Sequence, residues 1–156
     1  MPPRDRPKPS LRAQALRLLA RREHTRAELE AKLGGEDIDA EALAAVLDDL
    51  CRRGWISDAR VIEQVTYARR SRFGSRRIRQ ELQNKGVPGE LIAEAMTGLE
   101  EGDLESARGV WLRKFGHAPA NPGERARQLR FLQSRGFTLD LAVRVVREAG
   151  QGSDDS

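Results

Sequence analysis

The sequence predicts an all-α protein of three tandem three-helix repeats, stacked into an elongated, curved body. Charged residues make up 33% of the chain and aromatic residues only 4%, which favours helices with wide solvated faces over a β-sandwich. Apolar residues recur at helical spacing between residues that start or stop helices. A short motif also returns about every fifty residues, as in helical repeat proteins whose units must stack to bury their apolar faces.

The chain divides into five predicted segments. The first ten residues contain four prolines and several basic residues, so they are expected to remain a flexible arm. The last seven are mostly small or acidic and are expected to be mobile. The segments are an arm over residues 1–10, three-helix repeats over residues 11–54, 55–101 and 102–149, and an acidic tail over residues 150–156.

The first repeat carries clear helix boundaries. An amphipathic pattern begins at Leu11 and predicts a first helix. Thr25 followed by Glu28 is a capping box that starts a second, which Gly34 ends. Asp39 can cap a third. The same order of helix-start and helix-stop residues then occurs twice more along the chain. Starts are expected at Asp58, Ser75 and Pro88 in the second repeat and at Asp103, Asn121 and Thr138 in the third.

The three repeats also share a short sequence motif. Residues 28–32 read ELEAK, residues 81–85 read ELQNK and residues 131–135 read FLQSR, and a glycine follows closely each time. The central leucines Leu29 and Leu82 are 53 residues apart, and Leu132 follows 50 residues later. This period predicts an array of equivalent helical units.

Positive charge is concentrated in the middle of the chain. Residues 59–86 hold eight basic and two acidic residues, a net charge of +6, whereas the whole chain carries +4. Residues 23–50 and 87–108 are strongly acidic in turn. Segregation of this kind indicates a surface for an anionic partner. The arginines around the glycine turn suit phosphate contact or carboxylate pairing: Arg69, Arg70, Arg72, Arg76 and Arg77.

Two aromatic residues, Tyr67 and Phe73, lie inside this basic run. They either pack the junction between two helices or, where exposed, stack on a nucleic-acid base.

The sequence lacks the usual signs of an enzyme or a membrane protein. It has no Walker-type phosphate loop and no cluster of residues at metal-ligand spacing, so we expect no catalytic residue, cofactor, metal or small-molecule substrate. His24 and His117 are interpreted as ordinary surface residues. The single cysteine, Cys51, suits a reducing compartment, and no apolar run is long enough to span a membrane. A cytoplasmic location is therefore expected.

The central stretch, residues 54–87, reads GWISDARVIEQVTYARRSRFGSRRIRQELQNKGV and resembles the central motif of the RecX family of recombination regulators. Two flanking motifs in the correct order support the resemblance: RREHTRAELEAKL over residues 21–33 and RFLQSRGF over residues 130–137. The likeness extends over roughly residues 15–149.

The resemblance implies a regulator that binds the RecA recombinase filament on single-stranded DNA. It implies inhibition of ATPase, recombinase and strand-exchange activities, with modulation of homologous recombination and the SOS response; direct contact with the DNA is possible. The positions that match the family's central block are the filament- or DNA-binding candidates: Arg60, Arg69, Arg72, Arg76, Arg77, Arg79 and Lys85. The alternative is a helix-turn-helix-like DNA-binding transcriptional regulator, because short helices joined at glycine can imitate that motif.

Overall fold

A computed structural model of the chain describes residues 7–152, which form nine α-helices and no strand within that range. The predicted all-α fold of three three-helix repeats is thereby confirmed. Residues 1–6 of the predicted arm and 153–156 of the predicted tail lie outside the described range. The helices are α1 Leu11–Arg21, α2 Arg26–Leu33, α3 Ala40–Arg52, α4 Asp58–Arg69, α5 Ser75–Asn84, α6 Gly89–Glu101, α7 Asp103–Lys114, α8 Pro122–Ser134 and α9 Leu139–Gly152.

Among the described residues, the first compact unit comprises residues 7–61 together with Lys85–Val87. Helices α1, α2 and α3 bury a leucine-rich core that includes Leu29, Leu47 and Leu50. The predicted capping box is present: the Thr25 hydroxyl accepts from the N–H of Glu28 at 3.0 Å, and the Glu28 carboxylate accepts from the N–H of Thr25 at 3.2 Å. Polar groups at the helix start thus set where α2 begins.

The second compact unit comprises Ile62–Asn84 and, within the described range, residues 88–152. Helices α7, α8 and α9 enclose a core that contains Trp111, Leu132 and Phe137. Ile78 and Leu82 of α5 are also fully buried. The indole N–H of Trp111 donates to the buried Gln128 side chain at 2.8 Å, so the polar atom of this core residue is satisfied.

Three helix boundaries differ from the predicted ones. Ser75 was expected to cap α5, but it is the first helical residue, and its hydroxyl and N–H both donate to the carboxylate of Asp103. Pro88 is the N-cap of α6 and not its first residue. Helix α9 continues through Gly152, three residues beyond the boundary expected at residue 149, because a glycine weakens a helix without ending it.

His24 is not the surface residue that the sequence predicted, since only 1% of it is exposed. Its Nδ1 lies 3.0 Å from the carbonyl oxygen of Arg22, and its Nε2 lies 3.1 Å from the Nζ of Lys32. A neutral ring that donates from Nδ1 and accepts at Nε2 satisfies both contacts. Burial is the main reason that the pKa of His24 lies below its ordinary value. His117 is exposed, as predicted.

Candidate functional site

Some predicted binding arginines are engaged in contacts that stabilise the fold. Arg60, in the first compact unit, donates from Nε to Glu23 at 2.8 Å and from Nη2 to the carbonyl oxygen of Gly54 at 2.6 Å. Arg69, in the second unit, reaches the carboxylate of Glu81 through Nε at 3.1 Å and Nη2 at 3.3 Å. Each charge is balanced locally, which leaves it less available to an external anion.

Arg70 is tied more tightly. It donates to the Asp103 carboxylate at 2.9 Å and to the carbonyl oxygen of Leu99. Asp103 is buried and also accepts the two bonds from Ser75. Arg70, the residue that follows α4, and the start of α5 are therefore both anchored to the start of α7 by one carboxylate.

Arg72 and Arg77 lie around the ring of Phe73. Their guanidinium carbons are 5.8 and 4.7 Å from the ring centroid, and that of Arg135 is 5.4 Å away. Cations attract the negative face of an aromatic ring at these distances. Phe73 is half-buried, so it both packs a junction and holds three guanidinium groups together.

A second ring continues this arrangement into the third repeat. Arg135 is also 4.9 Å from the centroid of Phe131, and the Lys114 ammonium is 5.4 Å from the same centroid. We call these two rings with Arg72, Arg77, Lys114 and Arg135 the cation–aromatic cluster. Residues from the third repeat thus complete a surface that the sequence located in the second.

A cavity of about 220 Å³ opens beside this cluster. Arg113, which donates to the carbonyl oxygen of Ser71, adds a fourth cation to its wall. The residues that line the cavity are Arg72, Val110, Arg113, Lys114, Phe131 and Arg135. Sequence reasoning did not propose Arg113, Lys114, Phe131 or Arg135 as binding residues. The FLQSR motif contained a signal for two of them, because it aligns Phe131 and Arg135 with the basic second repeat, but only the fold brings Arg113 and Lys114 alongside.

The remaining predicted residues are placed differently. Arg76 and Arg79 are exposed, and no carboxylate in the described part of the chain forms an ion pair with either. Lys85 is half-buried in the first compact unit, where its carbonyl oxygen accepts from the Thr25 hydroxyl. Tyr67 is 92% exposed, so the interpretation that it packs a helix junction is wrong.

The chemistry available at this surface is electrostatic. Between residues 7 and 152 the structure contains no group of three or more metal-ligating side chains. Over the same residues, no helix combines the length and apolar character of a membrane span. The described surface offers cations at fixed positions, which suit hydrogen-bonded recognition of anionic groups.

Comparison with known proteins identifies the family. Three family models match in order: the first three-helix domain of RecX over residues 12–50, the second over 57–96 and the third over 100–146. The chain is 47% identical to the regulatory protein RecX of Leptothrix cholodnii over 150 residues, which cover 96% of each chain. It is 44% identical to that of Chromobacterium violaceum over 146 residues, or 94% of this chain and 93% of the relative.

A solved structure agrees in fold. The crystal structure of RecX from Lactobacillus salivarius superposes with a TM-score of 0.75 at 22% identity, covering 90% of this chain and 95% of the other. Together with the three matched domains, these similarities show that the chain belongs to the RecX family of regulatory proteins.

Proposed function

We propose that the protein regulates the RecA recombinase by binding its filament on single-stranded DNA. In this proposal it inhibits the ATPase, recombinase and strand-exchange activities of the filament, and so modulates homologous recombination and the SOS response. It acts as a binding protein and catalyses no reaction of its own. Family membership supports the identity of the recombinase.

The observation that carries the proposal is the uneven pairing of the arginines. Within the second compact unit, Arg69 and Arg70 have carboxylate partners, whereas Arg72 and Arg77 face aromatic rings and carbonyl oxygens. Cations without counter-charges keep a positive field that attracts a polyanion such as nucleic acid. A filament on single-stranded DNA presents such a polymer.

The test is the rate of ATP hydrolysis by RecA on single-stranded DNA as this protein is added. The proposal expects turnover to fall at or below an equimolar ratio to RecA. Unchanged turnover at a clear molar excess would contradict it.

A charge-reversal variant tests the site. Arg72→Glu, Arg76→Glu and Arg77→Glu together should abolish inhibition while the helical circular dichroism is retained. The matched control reverses Arg17, Arg52 and Arg147, which are exposed and outside the cluster. It changes the net charge equally and should inhibit nearly as well as the parent protein, apart from a general weakening that added salt screens. An equal loss of inhibition in both triple variants would mean that net charge alone drives binding.

A further inference from the structure

The cavity between α7 and the end of α8 is lined mainly by positively charged side chains. Within the described residues, its lining includes three guanidinium groups and one ammonium but no carboxylate. Its volume of about 220 Å³ exceeds several times the roughly 30 Å³ that a water molecule occupies in the liquid. The cavity can therefore admit a small hydrated anion.

We propose that this cavity is a phosphate-binding site that holds one phosphodiester group of single-stranded nucleic acid. The inference rests on the proposed function and adds to it a direct contact with the DNA, made largely by the third repeat. The residues that carry it are Arg72, Arg113, Lys114 and Arg135.

The first argument is electrostatic. Four cations around one cavity repel each other, and elsewhere in the same unit arginines such as Arg69 and Arg108 are paired with carboxylates. Here the rings of Phe73 and Phe131 provide the compensation, with cation-to-centroid distances from 4.9 to 5.8 Å for the lining residues. Such contacts offset repulsion without neutralising charge. The cavity thus keeps the charge that a phosphate requires.

The second argument is preorganisation. The N–H of Gly74 donates to the carbonyl oxygen of Arg135 at 2.7 Å, and Arg77 donates to the carbonyl oxygen of Ser134 at 2.9 Å. Arg113 is fixed by its bond to the carbonyl oxygen of Ser71. These bonds fix the Arg113 side chain and the backbone of Arg135 before any anion enters. Binding therefore costs less conformational entropy than it would if both residues were free to move.

The third argument concerns which part of a nucleic acid the cavity can recognise. Its lining contains cations and apolar groups but, among the described residues, no amide or hydroxyl side chain. Guanidinium groups suit phosphate oxygens in bidentate geometry, and an ammonium acts as a point charge. The Phe73 ring is surrounded by three guanidinium groups, which leaves little of it for a base. The site should therefore bind the backbone without regard to base sequence.

The experiment measures binding of the full chain to an oligothymidylate and to an abasic oligomer of the same length, each over a range of salt concentrations. The variants are Arg113→Gln, Lys114→Gln and the double substitution. The matched control is Arg108→Gln, which removes an exposed arginine from the same helix that is paired with Glu148 at 2.7 Å. Thermal unfolding verifies that each variant is folded, and Lys114→Arg tests whether charge suffices.

The double variant is expected to lose about tenfold in affinity for both oligomers, consistent with losing charged hydrogen bonds. Its plot of log affinity against log salt should become shallower by about 0.7, the value for one phosphate on a single strand. Lys114→Arg should retain most of the affinity, and Arg108→Gln should resemble the parent protein. An unchanged slope in the double variant would overturn the inference.

Two further outcomes separate this inference from the proposed function. If the parent protein fails to slow RecA turnover but the double variant loses oligomer binding, the proposed function fails and the phosphate site stands. If the double variant inhibits the filament less while binding both oligomers as the parent does, the cavity serves an acidic protein surface, and the phosphate assignment is wrong.

Discussion

Gly74 and Gly136 meet backbone to backbone in the second compact unit. A Cβ atom at Gly74 would lie 2.5 Å from the carbonyl oxygen of Gly136, and one at Gly136 would lie 2.6 Å from the Cγ of Arg77. Gly136 also has a φ of 95°, which disfavours any other residue. This close approach places the turn that carries Phe73 directly against the turn that carries Arg135.

Gly74→Ala is therefore expected to separate the two turns. The added methyl group cannot avoid backbone atoms, so the free energy of unfolding should fall by about 1–3 kcal/mol, as in overpacked interiors. Affinity for single-stranded DNA should fall as well, because Arg135 moves away from Phe73. Denaturant unfolding and oligothymidylate binding measure the two effects.

Gly98→Ala is the matched control for this prediction. A Cβ at Gly98 meets no neighbouring atom within 4 Å, and the residue lies inside α6. Alanine there should raise the free energy of unfolding by about 0.5–1 kcal/mol. Equal effects of the two substitutions would show that the contact between the turns contributes nothing specific.

The buried carboxylate of Asp103 gives a second prediction. Asp103→Ala leaves Arg70 without its ion-pair partner and the N–H of Ser75 without its acceptor. The free energy of unfolding should fall by about 2–4 kcal/mol, because a partly buried charge loses its ion-pair partner and a buried donor is left unsatisfied. Glu105→Ala, an exposed carboxylate in the same first turn of α7, should cost well under half as much in the same measurement. A small decrease in the free energy of unfolding of Asp103→Ala would mean that water takes the place of the carboxylate.

Helix starts such as Thr25, Asp39 and Asn121 could be predicted from sequence because their caps are local: the donor and acceptor lie within three residues of each other. Ser75 was also recognised as the region where α5 begins, but the group that accepts its hydrogen bonds could not be predicted. Its acceptor is Asp103, 28 residues away from Ser75, and no local pattern reports a contact of that range.

The candidate site divides in the same way. Residues 59–86 were correctly identified as basic from counting alone, but counting cannot tell a paired arginine from an unpaired one. Arg69 and Arg72 look alike in sequence, yet Glu81 binds only the first of them. Arg113 and Lys114 join Arg72 at the cavity through tertiary packing of α7, which depends on the whole fold.

A pH dependence follows from His24. Burial lowers its pKa from the ordinary 6.5, and the nearby charges of Arg22 and Lys32 lower it further. The unfolded chain then takes up a proton near pH 6.5 that the folded chain resists. Stability is therefore fully present above that pH and decreases as the pH falls toward the lowered pKa, by at most about 1.4 kcal/mol per pH unit.

His24→Gln should remove this contribution, so its free energy of unfolding should vary less than that of the parent protein as the pH is lowered from about 7 to 5. Comparison of the two proteins cancels the titration of all other groups. His117→Gln, at an exposed position, should retain the parent's pH dependence. An unaltered pH profile in His24→Gln would show that the buried ring accepts a proton in the folded state.

Ion pairing predicts different roles for two arginines of the central segment. Arg79 is exposed and has no carboxylate partner in the described range, whereas Arg69 is paired with Glu81. Arg79→Gln should make the salt dependence of oligothymidylate binding shallower by about 0.7. Arg69→Gln should leave the slope nearly unchanged and mainly affect stability. The same decrease in slope in both variants would mean that Arg69 contacts the DNA despite its ion pair with Glu81.

Tyr67 and Phe73 differ in what their rings can contact. Tyr67 is 92% exposed, so its ring is free to stack on a base, whereas Phe73 is surrounded by guanidinium groups. Tyr67→Ala should change the free energy of unfolding by less than about 0.5 kcal/mol. It should weaken oligothymidylate binding by about fivefold or more, as base stacking requires, and leave binding of an abasic oligomer unaffected.

Phe73→Leu should instead weaken both oligomers by the same factor, because loss of the ring releases the cations that hold the phosphates and removes no stacking surface. The ratio of the two affinities, measured side by side for each variant, distinguishes these roles. If Phe73→Leu reduced only the binding of the base-bearing oligomer, its ring would be a stacking platform, and the guanidinium groups around it would have to move aside when DNA binds.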